Sequence, residues 1–372
     1  FANPDLADEI GVLLDRHAEH DDVVRFLLRM VWRGDMRALV GKAKRIALNS
    51  RDHYTRIAAI QAMTDLGDPA DAQEVRAAFL AEEAPLRRDW IAAFLLTLPH
   101  DPEGVAWLLS AIERAEGKKP FDADRLSAEL PALATDWPIG SLIALNDGFH
   151  ALLKREPVIQ PRYCEISQSY GWLIGVAAQI VGRLIEARDG AALSPTSLSI
   201  LRLTRLAPAY DAGDFIAVRK DMPALLQGWS DLNHAFFWRC VAEERDVVHG
   251  DKENRLTRYW QVTTFGVCHS FDKQDFDRVC ADIAQRPLLD DRMIALSLAI
   301  DLYRSNGRPR RWRERLKRLV KGAGELEAML AMSLKPPAQA LREWRRENAR
   351  WRRRDAEAAK REAREFQRAQ DH

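Results

Sequence analysis

Several motifs that define common enzyme classes are missing from this 372-residue sequence. It contains neither the G-x-x-x-x-G-K-[ST] loop nor the G-x-G-x-x-G loop, whose backbone amides bind nucleotide phosphates. Carboxylate pairs occur at many predicted helix starts, but no pair stands out as a general acid and base. The sequence therefore predicts a chain without catalytic residues and without a cofactor. An enzyme with an irregular active site in residues 230–280 is the least favoured alternative.

Long apolar runs and disulfide frameworks are missing as well. The longest apolar run, from Tyr170 to Ile185, is interrupted by Gln179 and Arg183. It is shorter than the ~20 residues that a membrane span needs, and it predicts a buried core helix. Cysteine is scarce and has no C-x-x-C spacing, which excludes a secreted disulfide scaffold and favours a reducing cytoplasm. The four cysteines are Cys164, Cys240, Cys268 and Cys280.

Two groups of residues have the chemistry of metal ligands. His17 and His20 lie three apart among acidic neighbours at the end of a predicted helix, where histidine also interacts favourably with the helix dipole. We interpret this pair as solvated helix-end residues. We interpret the second group as buried core, because cysteine is among the most buried residue types. It consists of His234, Cys240, Cys268, His269 and Cys280.

Ala, Leu, Arg and Glu dominate the sequence, and alternating β-branched stretches are scarce, so we predict an all-α fold. Residues 55–80 contain two short amphipathic segments separated by Gly67, Asp68 and Pro69. An aspartate at the N-cap accepts a hydrogen bond from a free amide, and proline at the next position needs no donor. The segment predicts two helices joined by a tight break, and loss of the Asp68 cap should cost on the order of 1 kcal/mol.

The same break recurs along the first third of the chain. Asp35, Asp68 and Asp101 lie 33 residues apart, which is the period of a helical repeat. The spacing predicts antiparallel helical hairpins at 21–48, 53–82 and 85–116. Asn3 and Pro4 begin one more segment with the pattern of the second helix of a hairpin. The first helix of that hairpin would precede Phe1, so we expect the chain to begin inside a longer protein.

These patterns predict an α-solenoid of HEAT-like hairpins with an irregular helical second half and a long basic C-terminal helix. The hairpin pattern returns between Asp290 and Gly322. An unbroken helical pattern follows Pro336 and Pro337. The predicted domains are HEAT-like repeats with a period of about 33 at 1–117, an irregular helical region at 118–289, a returning hairpin at 290–335 and the long helix at 336–372.

Charge is distributed unevenly, although the net charge is only +1. Residues 304–372 carry 21 Lys and Arg against 10 Asp and Glu, whereas residues 1–303 carry 35 against 45. The basic end could therefore attract a polyanion or an acidic protein surface. The candidate contact residues there are Arg310, Arg311, Arg313, Trp344, Arg345, Arg346, Trp351, Arg352, Arg353 and Arg354.

Trp344 and Trp351 are seven residues apart and share a helix face with Leu341, in a stripe that Asn348 and Asp355 interrupt. We interpret this stripe as the seam by which the last helix docks on its own solenoid. Stacking of nucleic-acid bases on the two rings, with arginines alongside, is the alternative.

Segments 160–187, 231–245, 255–271, 286–312 and 341–354 together resemble the region that follows the NTPase module in large bacterial STAND/NACHT-type ATPases, a group that includes anti-phage sensors. The resemblance covers about residues 20–360 and contains no catalytic signature. In such proteins an effector and a P-loop NTPase precede a helical-repeat array that recognises a foreign protein, and recognition drives oligomerisation. The resemblance implies that this chain is the repeat sensor, with the NTPase and effector elsewhere in the full-length protein.

The sequence thus favours an interaction module that binds a protein partner and has no membrane partner. The resemblance implies a foreign partner such as a phage protein. A nucleic-acid-binding helical-repeat protein that uses the Arg-rich C-terminal end is the alternative. The two differ in salt dependence, because phosphate contacts weaken steeply with ionic strength.

Overall fold

Helices predominate among the described residues, which contain a single sheet, of two strands. This confirms the predicted all-α class. The structure is a computed structural model, and it describes residues 3–119, 124–160, 164–206, 224–248, 255–263 and 271–334, with residues 342, 344–351, 353–354, 356–357 and 360.

The helices of the first third are short and closely spaced. They are α1 (Ala7–Arg16), α2 (Asp21–Arg33), α3 (Val40–Asn49), α4 (His53–Leu66), α5 (Pro69–Ala81), α6 (Arg88–Leu95) and α7 (Pro102–Glu113). Shorter helices and the sheet follow in the middle of the chain. They are α8 (Arg125–Glu129), α9 (Pro131–Asp136), α10 (Ile139–Leu153), β1 (Pro157–Gln160), β2 (Cys164–Ser167), α11 (Ile174–Glu186), α12 (Pro195–Leu206) and α13 (Ser230–Val248). The strands pair antiparallel, with Val158 opposite Ile166.

The last described helices follow a tight spacing again. They are α14 (Tyr259–Thr263), α15 (Phe276–Gln285), α16 (Leu289–Ser305), α17 (Arg310–Val320) and α18 (Gly324–Leu334). The break between α16 and α17 uses Gly307 and Arg308, both with positive φ. The apolar run predicted to be a core helix forms α11, whose side chains are largely buried. None of the described helices is both long and apolar enough to cross a membrane.

The predicted helix caps have three different outcomes. The carboxylate of Asp101 accepts a hydrogen bond from the Gly104 amide at 2.9 Å, as predicted. Asp68 occupies the N-cap position of α5, but its side chain caps no amide. The prediction for Asp35 is wrong, because it has a φ of 50° and its carboxylate pairs with Arg37. Asp35 is not followed by proline, and α3 starts only after a 3₁₀ turn at 37–39.

We expect Asp101→Ala to destabilise the chain by about 1 kcal/mol, because it leaves the Gly104 amide without its partner. Asp68→Ala should cost only a few tenths of a kcal/mol, since no cap bond is lost and only the dipole interaction remains. Urea denaturation of both variants measures the difference. Equal losses of stability in the two variants would contradict the finding that Asp101 caps an amide and Asp68 does not.

Successive helices of the first third pack in two layers. The first helices α2, α4, α6 and α8 contact one another in that order, and the second helices α3, α5 and α7 do the same. Side-chain hydrogen bonds link neighbouring helices of the same layer, between residues about 33 positions apart in the sequence. The Trp32 indole N–H donates to Asp65 over 33 residues, and the Trp107 indole N–H donates to the Arg76 carbonyl over 31.

Each predicted hairpin range contains two helices, but the two helices of the first range are not each other's main packing partners. The predicted 21–48 hairpin paired α2 with α3. In the structure α3 packs most extensively on α4, and α2 packs on α1 and α4. The connection explains this arrangement. Only residues 50–52 separate α3 from α4, whereas residues 34–39 separate α2 from α3.

A buried arginine joins α6 to α8. Arg88 is 7% exposed, and its guanidinium donates to both carboxylate oxygens of Asp124, at 2.9 and 3.2 Å, and to the Ser127 hydroxyl. Its other face lies over the Trp172 ring at 4.0 Å. Asp124 also caps α8 by accepting from the Ser127 amide. The cluster therefore holds α6 against α8.

Asp124 should give the stability of the chain a specific acid dependence. Burial raises the pKa of its carboxyl, but the hydrogen bonds from Arg88 and Ser127 outweigh burial, and the pKa in the folded chain is lowered. A lowered pKa contributes stability that is complete above the unfolded value of about 3.9 and disappears as pH falls through the folded value. Denaturation between about pH 7 and pH 2 should show this loss in the wild type and a smaller one in Asp124→Asn. Identical pH profiles would contradict it.

The chain divides into two compact units. The first contains residues 1–246 and 263–270, and the second contains residues 247–262 and 271–372. In the second unit Phe276 and Trp312 stack face to face at 3.8 Å, and Arg255 bridges Asp290 and Glu325. This division is coarser than the predicted domain boundaries, which stay predictions.

Candidate interaction surfaces

The predicted contact residues of the basic end lie on two helical segments. Arg310, Arg311 and Arg313 are in the first turn of α17, where the first two are exposed and the third is partly buried. The described residues between 342 and 360 are all helical, as predicted for the C-terminal segment. Its exposed members include Trp344, Arg345, Arg346, Trp351, Arg353 and Arg354. Arg352 lies outside the described residues.

The two tryptophans of this segment are not buried among the described residues. Trp344 is 61% exposed and Trp351 is 64% exposed, so the predicted seam is wrong. The sequence supplies the physical reason. Asn348 lies four residues after Trp344 in the helix, and burying it beside the rings would remove an amide from water; the sequence places Asp355 at the next position of the same spacing, outside the described residues.

Helix α17 uses part of its charge inside the second unit. Arg315 pairs with Asp277, and Lys317 pairs with Glu314 at 3.0 Å. Trp312 is committed to its stack on Phe276. A groove of about 350 Å³ lies between α17 and α18, lined by Arg313, Lys317, Val320, Glu327, Leu330, Ala331 and Leu334. The charge of α17 is therefore partly neutralised, in contrast to the segment around Trp344 and Trp351.

A second exposed surface lies on the first helices, and the sequence analysis missed it. Its members are Val23 and Phe26 on α2 and Tyr54 on α4, which are 38%, 62% and 60% exposed. We call these three residues the first-helix patch. The signal was present in the sequence, because Phe26 falls on the face of α2 opposite the buried stripe. That stripe is Val24, Leu27, Leu28 and Val31.

The geometry around the patch is fixed by contacts between α2 and α4. The Thr55 hydroxyl donates to the Asp21 carbonyl at 3.2 Å, which places the start of α4 beside the start of α2. The Arg25 guanidinium lies 5.6 Å from the centre of the Tyr54 ring and also pairs with Asp22. The patch thus combines exposed apolar side chains with charged groups at its edge.

A groove of about 590 Å³ opens beside the start of α4. The groove is lined by both acidic and basic side chains. One of them, Asp52, caps a helix, and the lining contains no group of side chains that point together as catalytic residues would. The residues are Leu14, Asp15, Ala18, Glu19, Asp21, Val24, Lys42, Arg45, Ile46, Asn49, Ser50, Arg51, Asp52 and Thr55. Asp52 is engaged as the cap of α4, and Lys42 pairs with Asp15. Such engaged side chains give the groove the character of a polar contact surface.

The candidate metal ligands do not gather in the described part of the chain. No group of three or more His, Cys, Asp or Glu residues with ligand geometry occurs there. The rings of His17 and His20 lie 6.0 Å apart. Cys240 and Cys280 are buried free thiols, and burial raises the pKa of both, that of Cys280 to about 11. A raised thiol pKa is typical of unreactive core cysteines. Cys268 and His269 lie outside the described residues.

Comparison of the chain with family models, with curated proteins and with solved structures finds no match.

Proposed function

We propose that this chain is a non-catalytic recognition scaffold, an α-solenoid of HEAT-like hairpins that binds a protein partner through its first helices. The observation that carries the proposal is the first-helix patch of Val23, Phe26 and Tyr54 on stacked helices. Val23 and Phe26 lie three residues apart on α2, and Arg25 of the same helix lies over the ring of Tyr54. Neighbouring exposed apolar side chains that are rimmed by polar groups are typical of protein interaction sites.

The layered packing supports a repeat scaffold. First helices contact first helices, second helices contact second helices, and hydrogen bonds join residues 31 to 34 positions apart. A hairpin in such an array buries its apolar stripe only against its neighbours, which leaves a continuous outer surface for binding. The irregular pairing of α3 is compatible with this architecture, because both layers remain continuous through it.

Tyrosine and arginine are enriched at the energetically dominant positions of protein interfaces, and phenylalanine is enriched in interfaces generally. Phe26 and Tyr54 with Arg25 match this chemistry. The neighbouring aspartates, Asp21 and Asp22, would repel a phosphate backbone. The patch therefore favours a protein over a nucleic acid.

The resemblance of the helical segments to STAND/NACHT-type ATPases supports a wider context. In this proposal the chain is the sensor region of a larger bacterial defence-type NTPase and acts in the cytoplasm. Its partner is a protein foreign to the cell, such as a phage protein, and binding promotes oligomerisation of the full-length protein.

We expect Phe26→Ser/Tyr54→Ser to abolish capture of the partner while leaving stability within about 0.5 kcal/mol, because both side chains are largely exposed. The measurement is quantitative affinity capture from phage-infected bacterial extract, followed by binding of the purified candidate to the purified chain. The matched control is Val12→Ser/Leu96→Ser, which removes two exposed apolar side chains elsewhere. The proposal fails if no protein distinguishes the wild type from the patch variant, or if the control variant loses the same protein.

A further inference from the structure

We propose that the helical segment between residues 342 and 360 is a binding site for single-stranded nucleic acid, with bases stacked on Trp344 and Trp351 and phosphates bound by the arginines around them. This site is separate from the first-helix patch and does not depend on the protein-binding function proposed above.

The two tryptophans differ from most others in the described chain. Trp90, Trp107, Trp137 and Trp238 are at most 9% exposed, and Trp312 is stacked on Phe276. Trp260 is comparably exposed, at 58%, but it lies outside the arginine-rich residues 342–354. Trp344 and Trp351 keep more than three fifths of their surface in water. An exposed indole face is a platform for any base, because every base has a π-face.

The spacing of the rings suits a single strand. A separation of seven residues places Trp344 and Trp351 on one helix face and about 10 Å apart along the axis, at 1.5 Å per residue. Asn348 lies between them on the same face, where its amide is able to bond to a base edge or a phosphate. A strand that runs along this face would therefore meet two stacking positions separated by a polar one.

The charge of the segment matches a polyanion. Residues 342–354 contain seven arginines and two glutamates. Among the described residues, Arg345, Arg346, Arg353 and Arg354 take part in no ion pair, whereas Arg315 and Lys317 of α17 do. Guanidinium groups bind phosphate oxygens through paired hydrogen bonds. The excess of acidic residues in 1–303 would confine a polyanion to this end of the chain.

Other occupants fit the segment less well. An interfacial membrane helix needs a broad apolar face, and here the sequence offers only Leu341, Trp344 and Trp351, with the polar Asn348 between the two rings. A protein partner fits less well because of the charge: residues 342–354 carry seven arginines against two glutamates, whereas at the first-helix patch Asp21 and Asp22 balance Arg25. Duplex nucleic acid keeps its bases stacked in the helix, so it could use the arginines but not the rings.

The test is fluorescence anisotropy of the full chain with a labelled oligothymidine of about 12 nucleotides, at about 50 and 200 mM NaCl. We expect Trp344→Leu and Trp351→Leu each to weaken binding at least about fivefold, since stacking on each ring is removed while leucine maintains the helix. Trp344→Phe/Trp351→Phe should retain most of the affinity. Heparin, which carries no bases, should bind the wild type and the leucine variants equally.

The arginines are tested by salt dependence with a charge-matched control. Arg353→Ala/Arg354→Ala should lower the slope of log affinity against log salt by about 0.7 for each phosphate that the chain no longer neutralises. Arg310→Ala/Arg311→Ala removes the same charge from α17 and should leave the slope nearly unchanged. Circular dichroism of every variant checks that the fold is retained.

The proposal is overturned if the oligonucleotide does not bind at low salt, or if binding is indifferent to both leucine changes. It is also overturned if vesicles of anionic phosphatidylserine or an acidic protein bind through Trp344 and Trp351 while the oligonucleotide does not. Phe26→Ser/Tyr54→Ser should bind the oligonucleotide like the wild type, so failure of this site and failure of the protein-binding proposal remain distinguishable.

Discussion

Arg88→Met should lower the free energy of unfolding of the first unit by about 3 to 5 kcal/mol. The guanidinium is buried, holds both oxygens of Asp124 and stacks on Trp172 at 4.0 Å. Methionine keeps most of the volume but leaves the Asp124 carboxylate, only 11% exposed, without its counter-charge. Breaking a buried pair from one side is strongly destabilising for this reason.

Chemical denaturation of three variants measures this effect. Arg87→Ala is the matched control, because the neighbouring Arg87 is half exposed and lies 3.7 Å from Glu116, so its loss should cost no more than about 1 kcal/mol. Arg88→Met/Asp124→Asn removes both charges and should recover a large part of the loss. If Arg88→Met were no more harmful than Arg87→Ala, the cluster would not be the tie between α6 and α8 that its contacts indicate.

Phe94→Ala should cost a similar amount, about 3 to 5 kcal/mol, because it opens a cavity where α5, α6 and α7 meet. Phe94 is fully buried, and its ring contacts the rings of Phe79 and Trp107 edge to face, with centroids 5.5 and 5.3 Å away. Each aromatic contact adds to the loss from burial alone. The effect should therefore exceed that of truncating an isolated core leucine.

Leu96→Ala is the control for Phe94→Ala, since Leu96 follows α6 and is 81% exposed. Its change in the unfolding free energy should lie within about 0.5 kcal/mol of zero. A loss of less than about 1 kcal/mol for Phe94→Ala in the same urea titration would contradict the packing of these three helices.

Local sequence patterns predicted the helices better than their partners. Asp101 and Pro102 specify the start of α7 almost without tertiary help, because the cap bond and the missing proline N–H act within one turn. Asp35 looked similar but lacks the proline, and Met36 beside it is 1% exposed. Burial of Met36 fixes the chain there more strongly than a cap would. The pairing of α3 with α4 depends on connection length and core packing, which the spacing of caps does not contain.

The candidate surfaces show a second limit of sequence reasoning. A stripe of tryptophans at helical spacing is usually core, and that argument placed Trp344 and Trp351 inside. The polar Asn348 and Asp355 on the same face outweigh two rings, because burying them without partners costs several kcal/mol. The first-helix patch was missed for the opposite reason. A search for buried stripes does not select Phe26, because it lies on the polar face of α2. An aromatic residue on that face indicates an exposed contact surface.

We have proposed that stacked first helices of this chain recognise a protein through Val23, Phe26 and Tyr54. Titration calorimetry of the captured partner against the wild type and Phe26→Ser/Tyr54→Ser, at about 50 and 200 mM NaCl, tests it most directly. We expect an affinity at least about 30-fold lower for the double variant and only a shallow salt dependence for the wild type. Equal affinities of the two proteins, or a loss of about a thousandfold between the two salt concentrations, would contradict it.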